Sequence, residues 1–507
     1  MSVGRVGAAS AWAALATAGL AFWFLVGFPF GHHNESYDWV AWIGTPDLAS
    51  VAWHRFFGAG GYRPLAMSVA WLSYRAGDGS LVPIQLFNFA LTLAAWWTLA
   101  AAAPCRRTFS LAALVAGGVL FAGYIFLFHL HGVFYGPLLL GLALAVRAAE
   151  KPLAPSGLAL LGAGTLVAAA AHTYALALGL AFVAGTAIER GWLRDRRRFA
   201  LALVVAALGL ALIVLVAPRD LWSATSRGLL ALVTSFRAVE VNRVVALVAA
   251  LLAIVTAATT RWPFGRAGRT AALLVTLVGV VGCMATSLPV VFAWLVVGLV
   301  KAALHGRWTL AFLLLASLGL PYAGASGSPT YAIFALLLLT WILALDADGF
   351  ERAAARLAPA HAWAATAALV VLGLVVGRGV EVPGVSHLAR PLLAEKERTH
   401  QGERLLAQVL SSPWRTHPVR LAAAALAPTE AGGAVDRRER APTNQICLDN
   451  YLNHARGVAD PAAAPVVLSF GGGGRTSGSG VLVVPGRWAG DAVAALPERA
   501  QPVVPSP

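Results

Sequence analysis

GHHNESYDWVAWIGTPDLASVAWHRFFGAGGYRPLAMSVAWLSYRAGDGSLVPIQLFN, residues 31–88, is the stretch on which the reading of this chain turns. It separates two apolar runs, and a short polar turn would be enough to join two membrane helices. The excess length needs a reason, because long connections between packed elements are usually either functional or disordered. Trp39, Trp42, Trp53, Phe56, Phe57 and Trp71 are interleaved through it, and rings of this size need an apolar surface to lie on. The same stretch gathers Glu35, Asp38, Asp47, His54, Arg55 and Arg63 on one side of a membrane. We read 31–82 as a folded outer loop that carries a site.

The composition agrees with a membrane setting. Of 507 residues, 59% are hydrophobic and only 12% charged, with a mean hydropathy of +0.72, far too apolar for a soluble globular chain of this length. The net charge of +15 reflects arginines that hold loops in the cytoplasm rather than a nucleic-acid surface. Cys105, Cys283 and Cys447 fall in separate segments and provide neither a disulfide framework nor a metal-ligand spacing. At the N-terminus Arg5 precedes an uncharged run from Ser10 to Phe30, which suits a retained spanning helix better than the shorter core of a cleaved signal peptide.

Hydropathy predicts further spans near 83–103, 108–128, 132–146, 156–171, 174–189, 199–217, 244–260, 270–287, 288–300, 308–322, 329–345 and 361–377, about thirteen in all with the first. Every second loop is basic. With the N-terminus inside, Arg106 and Arg107, Arg147 and Lys151, Arg190 to Arg198, Arg261 to Arg269, Lys301 and Arg307, and Arg352 and Arg356 all become cytoplasmic, while the turns at 129–131, 171–174, 284–289 and 321–330 carry no Lys or Arg. The odd count leaves everything after 378 outside. The expected architecture is an all-α polytopic protein of the inner (plasma) membrane, with a transmembrane domain over 1–378 and an extracytoplasmic C-terminal region of mixed structure over 379–507. Residues 387–427 can form helices, and 465–484 hold two strand-like runs around GGGGRTSGSG, which lacks the Lys-Ser or Lys-Thr of a phosphate loop and reads as a hairpin connection.

Two outer loops break the charge rule. The first keeps Arg55, Arg63 and Arg75, and 218–243 keeps Arg219, Arg227, Arg237 and Arg243. Arginines retained against the sorting bias point to an anionic ligand such as a lipid phosphate, or to head groups and the carboxylates of Asp220 and Glu240. Within the first loop, Pro46 and Asp47 stand where helix starts prefer them, predicting a helix over 48–57 that ends at Gly58 and Gly60-Gly61. An amphipathic segment over 64–74 is too short to span, so both helices are read as interfacial. Glu35 and Asp38, with two residues between them, can take a proton from a hydroxyl nucleophile or hold a divalent cation, or can simply be solvated. His32 and His33 are adjacent and cannot easily face one ion.

Tyr37-Asp38-Trp39 after the first span, Gly61-Tyr62-Arg63-Pro64-Leu65, and Gln85 with Asn88 opening the next span resemble the GT-C superfamily of membrane glycosyltransferases. The pattern is most similar to the protein O-mannosyltransferase-like branch with a YRPL-type element in its first outer loop. Gln85 stands where His is common in that family and Tyr37 where a second acid is frequent, and no tetratricopeptide pattern follows. The resemblance covers residues 37 to 92. It implies sugar transfer from a polyprenyl-phosphate donor to an acceptor protein, lipid or glycan on the outer face of a bacterial cell envelope. Asp38, with Glu35, would be the catalytic carboxylate, and Arg63, Arg55, Tyr62, Gln85 and Asn88 would bind substrate. A guanidinium suits the donor phosphate because it grips two oxygens at once. His129, His131, His172 and Tyr174 end spans on the same face and either line the cavity or are structural.

The rival class is a transporter or flippase of a lipid-linked substrate, which would place ionisable groups near the midplane or show paired repeats; here nearly all charge is at span ends. A noncatalytic relative of the enzyme is the third reading. The orientation has a direct check. A reporter active only outside the cytoplasm should be active when fused after Arg390 and silent after Arg198, and the reverse pair of results would invert the whole assignment.

Overall fold

The structure, a computed structural model, describes residues 3–32, 47–52, 63–78, 80–117, 125–128, 132–150, 172, 174–191, 194, 200, 204, 207, 233, 236–237, 243–324, 332–411, 419–421, 466–470, 476–477 and 481–484. Helices dominate: α1 (Val3–Gly27), α2 (Leu48–Ala52), α3 (Pro64–Ala76), α4 (Val82–Ala102), α5 (Arg106–Val115), α6 (Ile125–Phe128), α7 (Gly132–Ala149), α8 (Tyr174–Glu189), α9 (Arg243–Thr259), α10 (Gly265–Ala285), α11 (Val291–Leu304), α12 (Trp308–Gly324), α13 (Ala332–Leu343), α14 (Asp348–Ala354), α15 (Pro359–Gly377) and α16 (Val385–Ser411). A chain this apolar has no water to bond its backbone in a bilayer, so each segment satisfies its own amides as a helix.

Among the described residues four helices are long and apolar enough to cross a membrane, at Ser10–Gly27, Val82–Ala102, Gly265–Ala285 and Pro359–Gly377. The pair α13 and α14, bent by 85°, makes a fifth if taken as one span, and α7, α8, α9, α11 and α12 contribute shorter apolar helices. By length and composition these helices are compatible with a multi-pass membrane protein. Of the expected spans, 156–171 and most of 199–217 lie outside the described residues. Of the expected span 108–128 the structure describes 108–117 and 125–128: α5 passes into a π turn at Ala116 and Gly117, and the indole N–H of Trp23 donates to the Gly117 carbonyl at 3.0 Å. A π turn displaces the regular ladder, and the indole satisfies one of the groups it disturbs.

The helix ends sort into two sets. At one end Glu351 of α14 accepts the backbone N–H of Arg107 and Thr108, both at 3.1 Å, and so caps α5. Beside it Arg261 pairs with Asp346 at 3.4 Å and Asp348 at 3.2 Å, and His305 contacts Asp346. Arg307 reaches Glu150 at 2.5 Å and Glu189 at 3.4 Å. Buried Lys301 donates to the Thr259 hydroxyl at 2.9 Å and to the Leu343 carbonyl at 3.1 Å. These are the basic loops that the alternation of charge collects on one side. Cys105 is buried there, and burial, with Glu351 and Asp348 close by, pushes its thiol up to about 11, which leaves it an unreactive packing residue.

The other end is organised by α1 and α15. The first halves of both helices share a cluster of Ala11, Trp12, Leu15, Ala18 and Ala362, with Ala365 and Leu369 against it. Further along, Gly373 lies against Phe22 and Gly377 against Leu25 and Val26. First half meets first half and last meets last, so the two helices run parallel, and any count of crossings between their starts and ends must keep that direction. The contact is made by two glycines one turn apart. A Cβ on Gly377 would stand 2.5 Å from the Leu25 carbonyl oxygen, and one on Gly373 3.0 Å from that of Phe22. Between helices in lipid there is no water to expel, so close approach through small residues supplies the attraction.

Beyond α15, α16 folds back across the ends of α1 and α15, burying Ala389 and Leu392. Strands β1 (Val419–Leu421), β2 (Val466–Phe470), β3 (Thr476–Ser477) and β4 (Val481–Val484) form a sheet in the order β1-β2-β4-β3. This corrects the hairpin reading of GGGGRTSGSG. β2 pairs parallel with β4, Val467 opposite Val481 and Phe470 opposite Val484, and a hairpin can join only antiparallel neighbours. The segment contributes β3, which pairs antiparallel with β4.

Gly377→Ala should destabilise the protein by about 1–3 kcal/mol, the usual cost of overpacking, read as a lower melting temperature in detergent. Gly282→Ala, in α10 with nothing within 4 Å of the added carbon, should leave the melting temperature unchanged or raise it. Equal responses at the two sites would contradict the close approach of α1 and α15.

Candidate functional site

The loop that carries the acidic residues leaves the membrane at Phe28-Pro29-Phe30-Gly31, and its exit is held from two sides. Pro83 starts α4 near its first turn, and Gln85 follows facing α1. Its carboxamide accepts the Phe30 N–H at 3.2 Å and donates back to the Phe30 carbonyl at 2.6 Å and to the Phe128 carbonyl at 3.5 Å. The amide thus completes Phe30 much as a neighbouring strand would. One turn later Asn88 donates to the Leu127 carbonyl at 3.3 Å. Both side chains are fully buried. They serve the carbonyls that the short helix α6 leaves open at its end. Aromatic rings fill the space between them: Phe24 stacks on Phe89 at 4.0 Å, and Phe128 lies 5.0 Å from Phe30.

The interfacial helices stand beside this exit. Asp47 accepts the N–H groups of Ala49 at 3.0 Å and Ser50 at 3.2 Å and the Ser50 hydroxyl, capping α2 in the manner its position before Leu48 predicts. The Ser50 hydroxyl first, then the Ala49 N–H, holds its carboxyl below the usual range. The helix expected over 48–57 is described as Leu48–Ala52, and that over 64–74 as Pro64–Ala76. Val51, Ala66, Met67 and Ala70 pack with Ile84, Val133 and Phe134, which seats both short helices on the starts of α4 and α7.

Arg63 immediately precedes Pro64, the first residue of α3. Its guanidinium carbon lies 4.4 Å from the centre of the Phe134 ring, a cation–π distance. Phe134 also meets His172 edge-on at 5.9 Å, and Tyr135 stacks on the same imidazole at 5.9 Å. His172 is only 1% exposed, so its ring is part of the packing at the start of α8. The structure therefore gathers Arg63, Gln85, Asn88 and His172 at the end of the bundle where α1 finishes. Glu35, Asp38, Arg55, Tyr62, His129 and His131 lie outside the described residues. Among the described residues no three His, Cys, Asp or Glu side chains converge as metal ligands.

Sequence reasoning passed over Phe134, Lys396 and Thr399. Phe134 reads as an ordinary interface aromatic until its place between Arg63 and His172 is seen, and no local signal singles it out. Lys396 and Thr399 lie in α16, which reads as a helix but gives no sign of what it touches. A cavity of about 410 Å³ at the opposite end, lined by Glu150, Glu189, Arg190, His305, Gly306 and Arg307, holds none of the candidate residues. It is bounded by the ion pairs of Arg307, and the cluster around Arg63 has the better claim as a site because it lies at the end of the bundle where the chain leaves α1.

Gln85→Leu keeps the bulk but strands the N–H and C=O of Phe30, so it should cost roughly 1–3 kcal/mol and lower the melting temperature. A Gln85→Leu variant that melts like the wild type would show that water satisfies Phe30 and that the amide is dispensable to the fold.

No protein-family description matches this chain, and neither a curated protein nor a solved structure matches it significantly.

Proposed function

We propose that the chain is an integral-membrane glycosyltransferase of the GT-C type, moving a sugar from a polyprenyl-phosphate-linked donor to an acceptor on the outer face of the inner membrane. In this reading it crosses about thirteen times, with the N-terminus cytoplasmic and the C-terminal region outside. The observation that carries it is Arg63. An arginine retained in an outer loop sits on Phe134 beside His172, at the end of the bundle where the acid-bearing segment leaves α1.

The chemistry follows from charge. Asp38 takes the proton of the acceptor hydroxyl as that oxygen attacks the anomeric carbon. The bond from that carbon to the donor phosphate breaks, and its electron pair leaves with the polyprenyl phosphate. Arg63, with Arg55, offsets the charge that grows there, which is where electrostatic help is most effective. The face of Phe134 orients the guanidinium. Gln85 and Asn88 hold the walls through backbone carbonyls. Glu35 and Asp38 are also the groups that would hold a divalent cation.

Washed membranes supplied with a labelled polyprenyl-phosphate sugar test this, with and without chelator. Asp38→Asn should lower transfer by ~10² to 10⁴ at normal expression, Glu35→Gln by less, and Arg63→Lys as much as Arg63→Ala because an ammonium lacks the planar fork. Wild-type transfer by the asparagine variant would promote the transporter or the noncatalytic relative in its place.

A further inference from the structure

We propose that Lys396 and Thr399 of α16 are positioning residues that set where the acidic segment of the first outer loop emerges, so that the C-terminal region is a working part of the site. For its catalytic consequence this inference rests on the glycosyltransferase reading above.

The four residues at the exit are each tied down. Phe28 offers its carbonyl to the Lys396 ammonium at 3.2 Å. The Pro29 carbonyl accepts from the His400 ring at 3.3 Å. Phe30 is held by Gln85. The Gly31 N–H donates to the Thr399 hydroxyl at 3.1 Å, and that hydroxyl donates in turn to the Lys396 carbonyl at 2.7 Å. Three of the four are thus bound by one helix that lies almost the whole chain away in sequence.

These are costly contacts to build for a mere cover. Thr399 is 5% exposed, and its one hydroxyl spends both of its functions here. Lys396 is half-buried and directs its ammonium at three carbonyls, Val26 at 3.4 Å, Phe28 at 3.2 Å and Gly377 at 3.3 Å. Burial lowers its pKa, so an ammonium here meets a desolvation cost that an apolar side chain would avoid. The gain is geometric, because the same ammonium ties the ends of α1 and α15 to the first residues of the loop. An extended chain spans at most about 3.6 Å per residue, so Glu35 lies within ~14 Å and Asp38 within ~25 Å of Gly31. From α1 the chain reaches both carboxylates only through this anchored exit.

Hydrogen–deuterium exchange of the full-length protein in nanodiscs, read over residues 26–32, separates this inference from the enzymatic one. Thr399→Val and Lys396→Met should each speed exchange of that segment by about tenfold, the effect of one or two lost hydrogen bonds on local opening, while Thr399→Ser should restore wild-type protection. In the transfer assay the same two variants should lower kcat with little change in donor KM, and the serine variant should again be normal. Unchanged exchange in both variants overturns the anchor whatever the activity. Faster exchange with unchanged kcat overturns its catalytic role and leaves the glycosyltransferase reading standing. Absence of transfer in the wild type removes that reading and the catalytic role together, and the exchange result then judges the anchor alone.

Discussion

The parallel contact of α1 and α15 is the constraint from which much of the rest follows. Gly373 and Gly377 let the two backbones approach until a single added carbon would collide with a carbonyl of α1. Parallel packing also brings the negative ends of two helix dipoles side by side, an arrangement that invites a cation. Lys396 supplies it, bonded to carbonyls at the ends of both helices. Once α16 is drawn over those ends, Thr399 and His400 fall beside the chain that leaves α1. The close packing of α1 on α15 and the anchoring of the chain that leaves α1 are one arrangement.

Several buried or half-buried polar side chains elsewhere in the bundle follow the same logic. They sit where a helix stops or slips and leaves backbone groups unpaired. Trp23 serves the π turn after α5, Gln85 and Asn88 serve the ends near α6, Lys301 serves the last carbonyl of α13, and Glu351 serves the first amides of α5. In a low-dielectric interior an unmade hydrogen bond is expensive, so a broken helix demands such a partner. A polar residue at the start of a span is therefore not by itself a sign of chemistry. Gln85 and Asn88 read from sequence as substrate contacts, and the bonds they make here are to the framework on which a site would rest.

Arg63 shows a different kind of contact. Its guanidinium lies over the face of the Phe134 ring, a contact that orients the group through the ring's quadrupole. The neighbouring imidazole of His172 is locked between aromatic rings. In the proposed reading, a positively charged group set on an aromatic floor meets a phosphate whose charge grows as a bond breaks.

The sequence by itself determined what depends on near neighbours along the chain. The helical class follows from long apolar runs, since lipid leaves the backbone no other partner. The grouping of basic loops at one end, the cap at Asp47 and the helix start at Pro64 are likewise set by residue type at short range. What only the tertiary structure decided is which distant residues meet. Gly31 bonds to Thr399 across 368 positions, and Lys396 reaches Val26 across 370. The glycine pair at 373 and 377 is visible in the sequence, but its partner is not, because a small residue marks a place of approach without naming what approaches. Apolar spans are nearly interchangeable in their affinity for one another, and the choice among them is made by shape and by a few hydrogen bonds at helix ends that exist only after packing.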